Sequence, residues 1–499
     1  MHGPTSLLKP LWPGFSYKEH QVTGVAWMIQ RERAGTGGLL CDEMGLGKTI
    51  QMMGLIKNSV SRPRESSLLI APVAVLEQWK AVVQRAGLTV MVPSESGYSW
   101  VPEGPVKSQL AAQVHIIGYE RAMRCRSLVL TYPFQRVAFD EAHRLASGNS
   151  ATELAAEMKT PHKWLLTGTP IVNKPRDLGN LLRLAGAPID VKTITLGELR
   201  KHLKTFILAR SMEQLRSIIP DAPPRPEYHK LVLPFASEEE ADFYRGIQGI
   251  ITRRWRALHF DSGAGAALAK LQLFMKLRQL SLHPQVYIDA QRKRLKGLYT
   301  RPDWTGGSTK FEAIQRLLRE AAADHDAASH KWIFFCHFHT EMELLRDMLQ
   351  GESCVETVQL YHGGMTAAEK AEVIERTHLP VEEGKQEVLL VQLQSGGAGL
   401  NLQHFDRVVF TGPWWTSAIM QQAVGRAVRI GQHKVVKVFQ LRLAEEEEGT
   451  NIDAYMYQRA GEKELLCKEV LSGATVAATL KEMAAEGGQE QVAPAAQIH

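Results

Sequence analysis

The chain is short of cysteine, has no long apolar run and carries only a mild excess of one charge, and each shortage removes a class of protein. Its five cysteines, Cys41, Cys125, Cys336, Cys354 and Cys467, are scattered with no CxxC pair. That spacing argues against a disulfide framework and a zinc site, and a reducing compartment is the default. No stretch approaches the roughly 18 apolar residues of a membrane span, and residues 1–20 lack the apolar core of a signal peptide. A soluble, intracellular protein is expected. The net charge of +6 is compatible with a polyanionic partner without requiring one. A composition 44% hydrophobic and 22% charged is that of a globular chain, and 499 residues are enough for two or three domains.

What is present is organised around GGLLCDEMGLGKTIQMM, residues 37–53. A short apolar run enters a turn containing Gly45 and Gly47, and Lys48-Thr49 opens a helical pattern. Strand, glycine turn and helix in that order form a phosphate cradle, whose N–H groups point at anionic oxygens. Lys48 is placed to reach the β- and γ-phosphates of a nucleoside triphosphate, and Thr49 to ligate Mg²⁺. The plain pattern wants glycine six residues before Lys48, and Asp42 stands there instead. Upstream, residues 15–32 put Tyr17, Gln21, Gly24 or Val25, and Met28 at helical spacing. That reads as an amphipathic helix, with Gln21 a candidate reader of the adenine edge.

Two further strand-then-turn segments carry chemistry. QRVAFDEAHRL, residues 135–145, runs a strand into Asp140 and Glu141. Ligands of open parallel sheets sit at such strand ends, so Asp140 is a candidate Mg²⁺ ligand and Glu141 a candidate for polarising an attacking water. The segment KWLLTGTPIVN, residues 163–173, places Thr167, Gly168 and Thr169 in the same position. These small residues suit either a sensor of the nucleotide state or a simple turn and cap.

Together DEMGLGKT, LLIAPVAVLEQW, DEAH and LTGTPIVN resemble the motifs of the Swi/Snf-type ATPases, the double-stranded-DNA translocases within helicase superfamily two. The resemblance implies two RecA-like, doubly wound α/β lobes with helical insertions and a C-terminal bracing helix, with ATP and Mg²⁺ as cofactors. On that reading residues 1–185 are the ATP-binding lobe and 186–306 are helical insertions and an interlobe linker. Residues 307–445 are the second lobe, 446–475 the bracing helix and 476–499 a loose tail. AKLQLFMKLRQLSLHP, residues 269–284, is similar to a family helix, with Leu271, Phe274, Leu277 and Leu280 as a core stripe. The basic clusters Arg253-Arg254-Arg256 and Arg292-Lys293-Arg294-Lys296 are read either as phosphate contacts or as solvated helix faces.

In the second lobe, Ser395, Gly396 and Gly397 follow an apolar strand, and such a turn donates N–H groups to phosphate. Gln422, Arg426 and Arg429 follow at spacings of four and three, which predicts one helical face. Facing the nucleotide across the interlobe cleft, the two arginines would be arginine fingers, a class of group worth about 10³ to 10⁵ in rate. Trp415 matches the family tryptophan that approaches DNA, with core burial its competitor. Family members usually carry Asn-Pro after that tryptophan and His between the arginines, whereas Thr416-Ser417 and Val428 stand here. The implied activity is ATP-driven movement along double-stranded DNA that remodels chromatin or other protein–DNA complexes, in the nucleus, by a monomeric core. A strand-separating helicase and a catalytically weak DNA-binding scaffold stay open as alternatives.

Overall fold

The computed structural model describes residues 8–59, 66–104, 113–171, 174–191, 195–258, 263–323, 329–393, 400–445 and 451–471. Among these residues the chain forms two compact units, one running to Ala222 and including residues 463–471, the other spanning Pro223–Glu462. Among the described residues no helix is long and apolar enough to cross a membrane.

The first unit is built on eight strands: β1 (Gly38–Leu40), β2 (Ser66–Ala71), β3 (Thr89–Pro93), β4 (Trp100–Glu103), β5 (Gln113–Gly118), β6 (Arg136–Asp140), β7 (His162–Leu166) and β8 (Ile207–Leu208). Their order across the sheet is β4-β3-β5-β2-β6-β7-β1-β8. Every pairing is parallel except β3 with β4 at one edge. Runs such as Ser66–Ala71 are buried at every position, as strands with both faces covered must be. The motif-bearing strands β6, β7 and β1 are neighbours in one register: Asp140 lies opposite Leu166, and Leu166 opposite Leu40. Residues leaving their C-terminal ends therefore emerge side by side.

The second unit has β9 (Glu227–Leu233), β10 (His330–Cys336), β11 (Val355–Tyr361), β12 (Gln386–Gln392), β13 (Arg407–Phe410) and β14 (Lys437–Leu443). They form an all-parallel sheet of order β11-β12-β10-β13-β14-β9. Both lobes are thus α/β layers on parallel sheets, as the resemblance implied.

The stretch 186–306, expected as one middle region, is divided between the units. β8 adds to β1 in the first. β9 runs in register beside β14 in the second, from Glu227 opposite Lys437 to Leu233 opposite Leu443. Each short strand covers an open sheet edge, which satisfies backbone groups a helical linker would leave bare. Helices Glu238–Ala257, Ala264–Leu282 and Pro284–Leu295 follow β9, with Phe243, Tyr244, Leu280, Tyr287 and Ile288 in their shared core. The expected stripe on the middle helix holds in part: Leu280 is buried and Phe274 and Leu277 are half-buried, whereas Leu271 is 49% exposed and Leu273, outside the stripe, is buried. Arg253, Arg254, Arg256, Lys293, Arg294 and Lys296 are exposed. The last helix, Ile452–Leu471, buries Ile452, Ala454, Met456 and Ala460.

Candidate functional site

In the first unit the phosphate loop leaves β1 and enters helix Lys48–Asn58 through two glycines at positive φ, Gly45 (90°) and Gly47 (81°). Gly47 is the residue before the helix, in a conformation that L side chains resist. A Cβ there would also lie 2.6 Å from the Gln21 amide nitrogen, so Gln21 sits directly against the loop. Its side-chain oxygen accepts from Lys18 N–H at 3.0 Å, which fixes the amide at the start of helix Glu19–Arg33. Lys48 Nζ donates to the carbonyls of Asp42 (2.7 Å) and Glu43 (3.4 Å). Thr49 is half-buried in the helix's first turn.

The acidic pair stands at the end of β6. Asp140 accepts from Trp79 Nε1 (2.8 Å) and from the Glu141 N–H (3.0 Å), and Tyr119 donates to its carbonyl (2.8 Å). Burial, with the Glu141 charge beside it, raises the Asp140 carboxyl above the usual range, and the Trp79 bond and the Lys48 ammonium pull it part of the way back. A half-buried acidic pair, with the Lys48 ammonium close enough to act on Asp140, suits a divalent cation. Glu141 has φ of 49°, one of two non-glycine residues in the left-handed region among those described. Such a conformation costs roughly 1–3 kcal/mol and persists where the surroundings over-determine it, commonly at functional sites.

The third motif joins these two. Thr167 N–H donates to Leu40 O (3.1 Å), and its hydroxyl accepts from Thr169 N–H (3.1 Å). His143 Nδ1 lies 3.4 Å from both Glu141 Oε2 and Thr167 Oγ1, bridging the acidic pair to the threonine turn. A Cβ on Gly168 would rest 3.7 Å from Asp42 O and 3.8 Å from Lys48 Nζ, so this turn abuts the phosphate loop. Gln21, Gly45, Gly47, Lys48, Thr49, Asp140, Glu141 and Thr167–Thr169 therefore converge.

Asp42 stands apart from them. Its carboxylate is fully buried and bound by Arg210, Nε to Oδ1 at 2.9 Å and Nη2 to Oδ2 at 2.5 Å. It touches the site through its carbonyl, and its side chain holds the loop from behind rather than facing a ligand.

In the second unit helix Ser417–Val424 carries Gln422 and ends at the capping Gly425. Arg426 and Arg429 thus lie on successive tight turns, Arg426 N to Ala423 O (3.1 Å) and Arg429 N to Ala427 O (3.1 Å), and not on the continued helical face their spacing predicted. The turns are pinned by buried Gln432, whose Nε2 donates to Gln403 O (2.7 Å) and Phe405 O (2.9 Å). Arg426 is 6% exposed. Burial draws the Arg429 guanidinium below its ordinary range, an environment that an anion would relieve.

Trp415 is half-buried, edge-on to Phe274 at 5.5 Å between ring centres. Trp414 is buried and stacked on His337 (5.4 Å). Arg278 lies over both tryptophans, 4.8 Å from Trp414 and 5.7 Å from Trp415, and contacts His337 Nδ1 at 2.9 Å. Trp415 is thus partly core and partly surface. Ser395, Gly396 and Gly397 lie outside the described residues.

Residues 20–190 match the model of the SNF2-related domain, and residues 309–431 that of the helicase conserved C-terminal domain. The chain belongs to the Swi/Snf-type ATPases. It is 26% identical to the ATP-dependent helicase brm of Drosophila melanogaster over 88% of this chain and 28% of that protein. A probable global transactivator of Orgyia pseudotsugata multicapsid polyhedrosis virus is 25% identical over 89% of each chain. A Sulfolobus solfataricus SWI2/SNF2 ATPase core in complex with dsDNA aligns over 94% of this chain and 99% of that one, at 22% identity and a TM-score of 0.41. The chain therefore spans little more than a quarter of the fly relative and most of the viral one.

The SNF2-related match contains the whole convergent site of the first unit, and the helicase match contains Gln422, Arg426 and Arg429. Arg210, Trp79, His143 and Gln432 escaped the sequence reading as functional residues. Arg210 had one signal: an aspartate where a phosphate loop usually has glycine needs a cation, and FILARS, residues 206–211, supplies one.

Proposed function

We propose that this Swi/Snf-type protein hydrolyses ATP with Mg²⁺ at the first unit's loop and couples hydrolysis to movement along double-stranded DNA. The observation that carries the reading is the convergence of three neighbouring strand ends, with Lys48, Asp140, Glu141 and Thr167 around one point and Glu141 held in a strained conformation.

Each residue has a part. Gln21 reads the adenine, the N–H groups after Gly45 and Gly47 cradle phosphate, and Lys48 neutralises it. Thr49 and Asp140 would hold Mg²⁺, which would supply charge neutralisation to the phosphates. Glu141 orients the attacking water, and His143 passes the state of the acidic pair to Thr167–Thr169. Arg426 and Arg429 supply positive charge to the transferred phosphoryl group, with Gln422 beside them. Trp415 and the Ser395–Gly397 turn contact the DNA. Duplex DNA is the partner, nucleosomes or other DNA-bound proteins are the objects moved, the acting core is a monomer and the nucleus is the compartment.

The test is displacement of a third strand from a triplex by the full chain with ATP and Mg²⁺. Displacement that needs ATP hydrolysis, with no separation of a plain duplex, supports translocation. Unwinding of the plain duplex instead assigns a strand-separating helicase, and neither activity beside intact DNA binding assigns a scaffold.

A further inference from the structure

Arg210 is fully buried, and all five of its guanidinium N–H donors are used. Besides the fork on Asp42, Nη1 donates to His20 O (2.6 Å) and Thr23 Oγ1 (2.9 Å), and Nη2 to Gln51 Oε1 (2.9 Å). Gln51 Nε2 closes the ring on Asp42 Oδ2 (2.9 Å). The packing admits no extra atom, since a Cβ on Gly24 would lie 1.8 Å from Gln51 Oε1 and 2.9 Å from Arg210 Nη2.

Every partner belongs to a nucleotide-binding element. His20 and Thr23 flank Gln21 on its helix, Asp42 opens the loop and offers its carbonyl to Lys48, and Gln51 lies in the helix that Lys48 and Thr49 begin. One planar group therefore sets the spacing of the base-reading helix, the loop and the phosphate-binding helix. The backbone repeats the link: Cys41 N donates to Leu208 O (2.7 Å), Glu43 N to Arg210 O (2.8 Å) and Met212 N to Glu43 Oε2 (2.7 Å). The loop is moulded on residues 208–212, ten residues before the first unit gives way to the second at Ala222.

We propose that Arg210 is a positioning residue for the nucleotide site, and that through it the phosphate loop is tied to residues 208–222, so that nucleotide binding orders the segment leading out of the first unit. This rests on the nucleotide-binding reading above. Lysine has three donors and no fork, so Arg210→Lys cannot rebuild the ring. Asp42→Asn with Arg210→Gln removes both buried charges, whereas Arg210→Gln alone strands the Asp42 carboxylate.

The experiment compares wild type, Arg210→Lys, Arg210→Gln and the double variant in the full chain. Melting temperature, KM for ATP, kcat, and amide hydrogen exchange of residues 211–222 with and without a non-hydrolysable ATP analogue are read. The double variant is expected to melt closer to wild type than Arg210→Gln does. Its KM, like that of Arg210→Lys, should stay raised by about tenfold, the scale expected when a binding group is displaced by a fraction of an ångström. The analogue should slow exchange of 211–222 in wild type and not in the double variant. Recovery of KM along with melting temperature would reduce Arg210 to a structural role, and equal slowing in both proteins would overturn the tether. Binding of a fluorescent ATP analogue to wild type, lost in Lys48→Ala, separates the two readings: if wild type binds none, the nucleotide site itself fails and this inference with it.

Discussion

Each unit buries charge, but at different depths of its architecture. The first places the Arg210–Asp42 pair under a loop whose glycines sit at positive φ. The second places Lys310 against Asp453 at 2.7 Å, both 1% exposed, with Ser281 Oγ and Leu443 N also donating to Asp453 at 3.0 Å. Those partners lie in helices Ala264–Leu282, Thr309–Ala323 and Ile452–Leu471 and in β14. Nearby, buried Glu341 accepts from His337 N (2.7 Å), Phe338 N (3.0 Å) and Thr411 Oγ1 (2.5 Å), and burial raises its carboxyl above the usual range. The physics is shared, since a desolvated charge is tolerable when an opposite charge beside it offsets the cost of burial. The consequence differs. A network under a loop sets where backbone N–H groups point, whereas one between regular elements sets how they pack. Damage to the first should appear in nucleotide affinity as well as in stability, and damage to the second in stability alone.

Mutations in the second unit should differ in the size and kind of their effects. Lys310→Met leaves the Asp453 carboxylate buried without its cation, and should destabilise the second unit by about 3–5 kcal/mol. Urea unfolding followed by hydrogen exchange should show that loss in residues 223–462 with the KM for ATP of the folded protein unchanged. A raised KM would break the division between the two networks. Gln432→Ala leaves the Gln403 and Phe405 carbonyls without their donor and should cost about 1–3 kcal/mol locally. Because those bonds pin the arginine turns, kcat should fall while nucleotide binding persists, measured by steady-state hydrolysis beside analogue titration. Trp415→Ala should weaken duplex binding by about tenfold, within the roughly 1–3 kcal/mol range of an aromatic contact to nucleic acid. Fluorescence anisotropy checks it, and unchanged affinity would leave Trp415 a packing residue beside Phe274. Least of all, Arg376→Ala removes an exposed pair with Glu372 and should shift stability by no more than about 0.5 kcal/mol in thermal melting.

How far the sequence foretold these features follows from the range of the interactions. The first unit's motifs were legible because strand, turn and helix succeed one another within a dozen residues, and parallel strands deliver each turn to the same sheet end. The task of the Asp42 side chain was not legible, because its partner is Arg210, 168 residues on, beyond the reach of local pattern. Spacings of four and three placed Arg426 and Arg429 on a helix, but Gly425 caps that helix after Val424, and a glycine within a helical pattern was the available warning. Leu271 showed the same limit. Its stripe held at Leu280 and in part at Phe274 and Leu277 but not at Leu271, while Lys276 and Arg278 take inward positions that a hydrophobic stripe does not register.

The most direct measurement is phosphate release from ATP and Mg²⁺ by the full chain, with and without duplex DNA, for wild type, Lys48→Ala and Glu141→Gln. Release by wild type should rise with duplex and fall by about 10² or more in both variants, in keeping with the loss of a group that acts on the transferred phosphoryl. Wild-type release no greater than that of the variants would contradict the assignment of this strand-end site as the engine of the molecule.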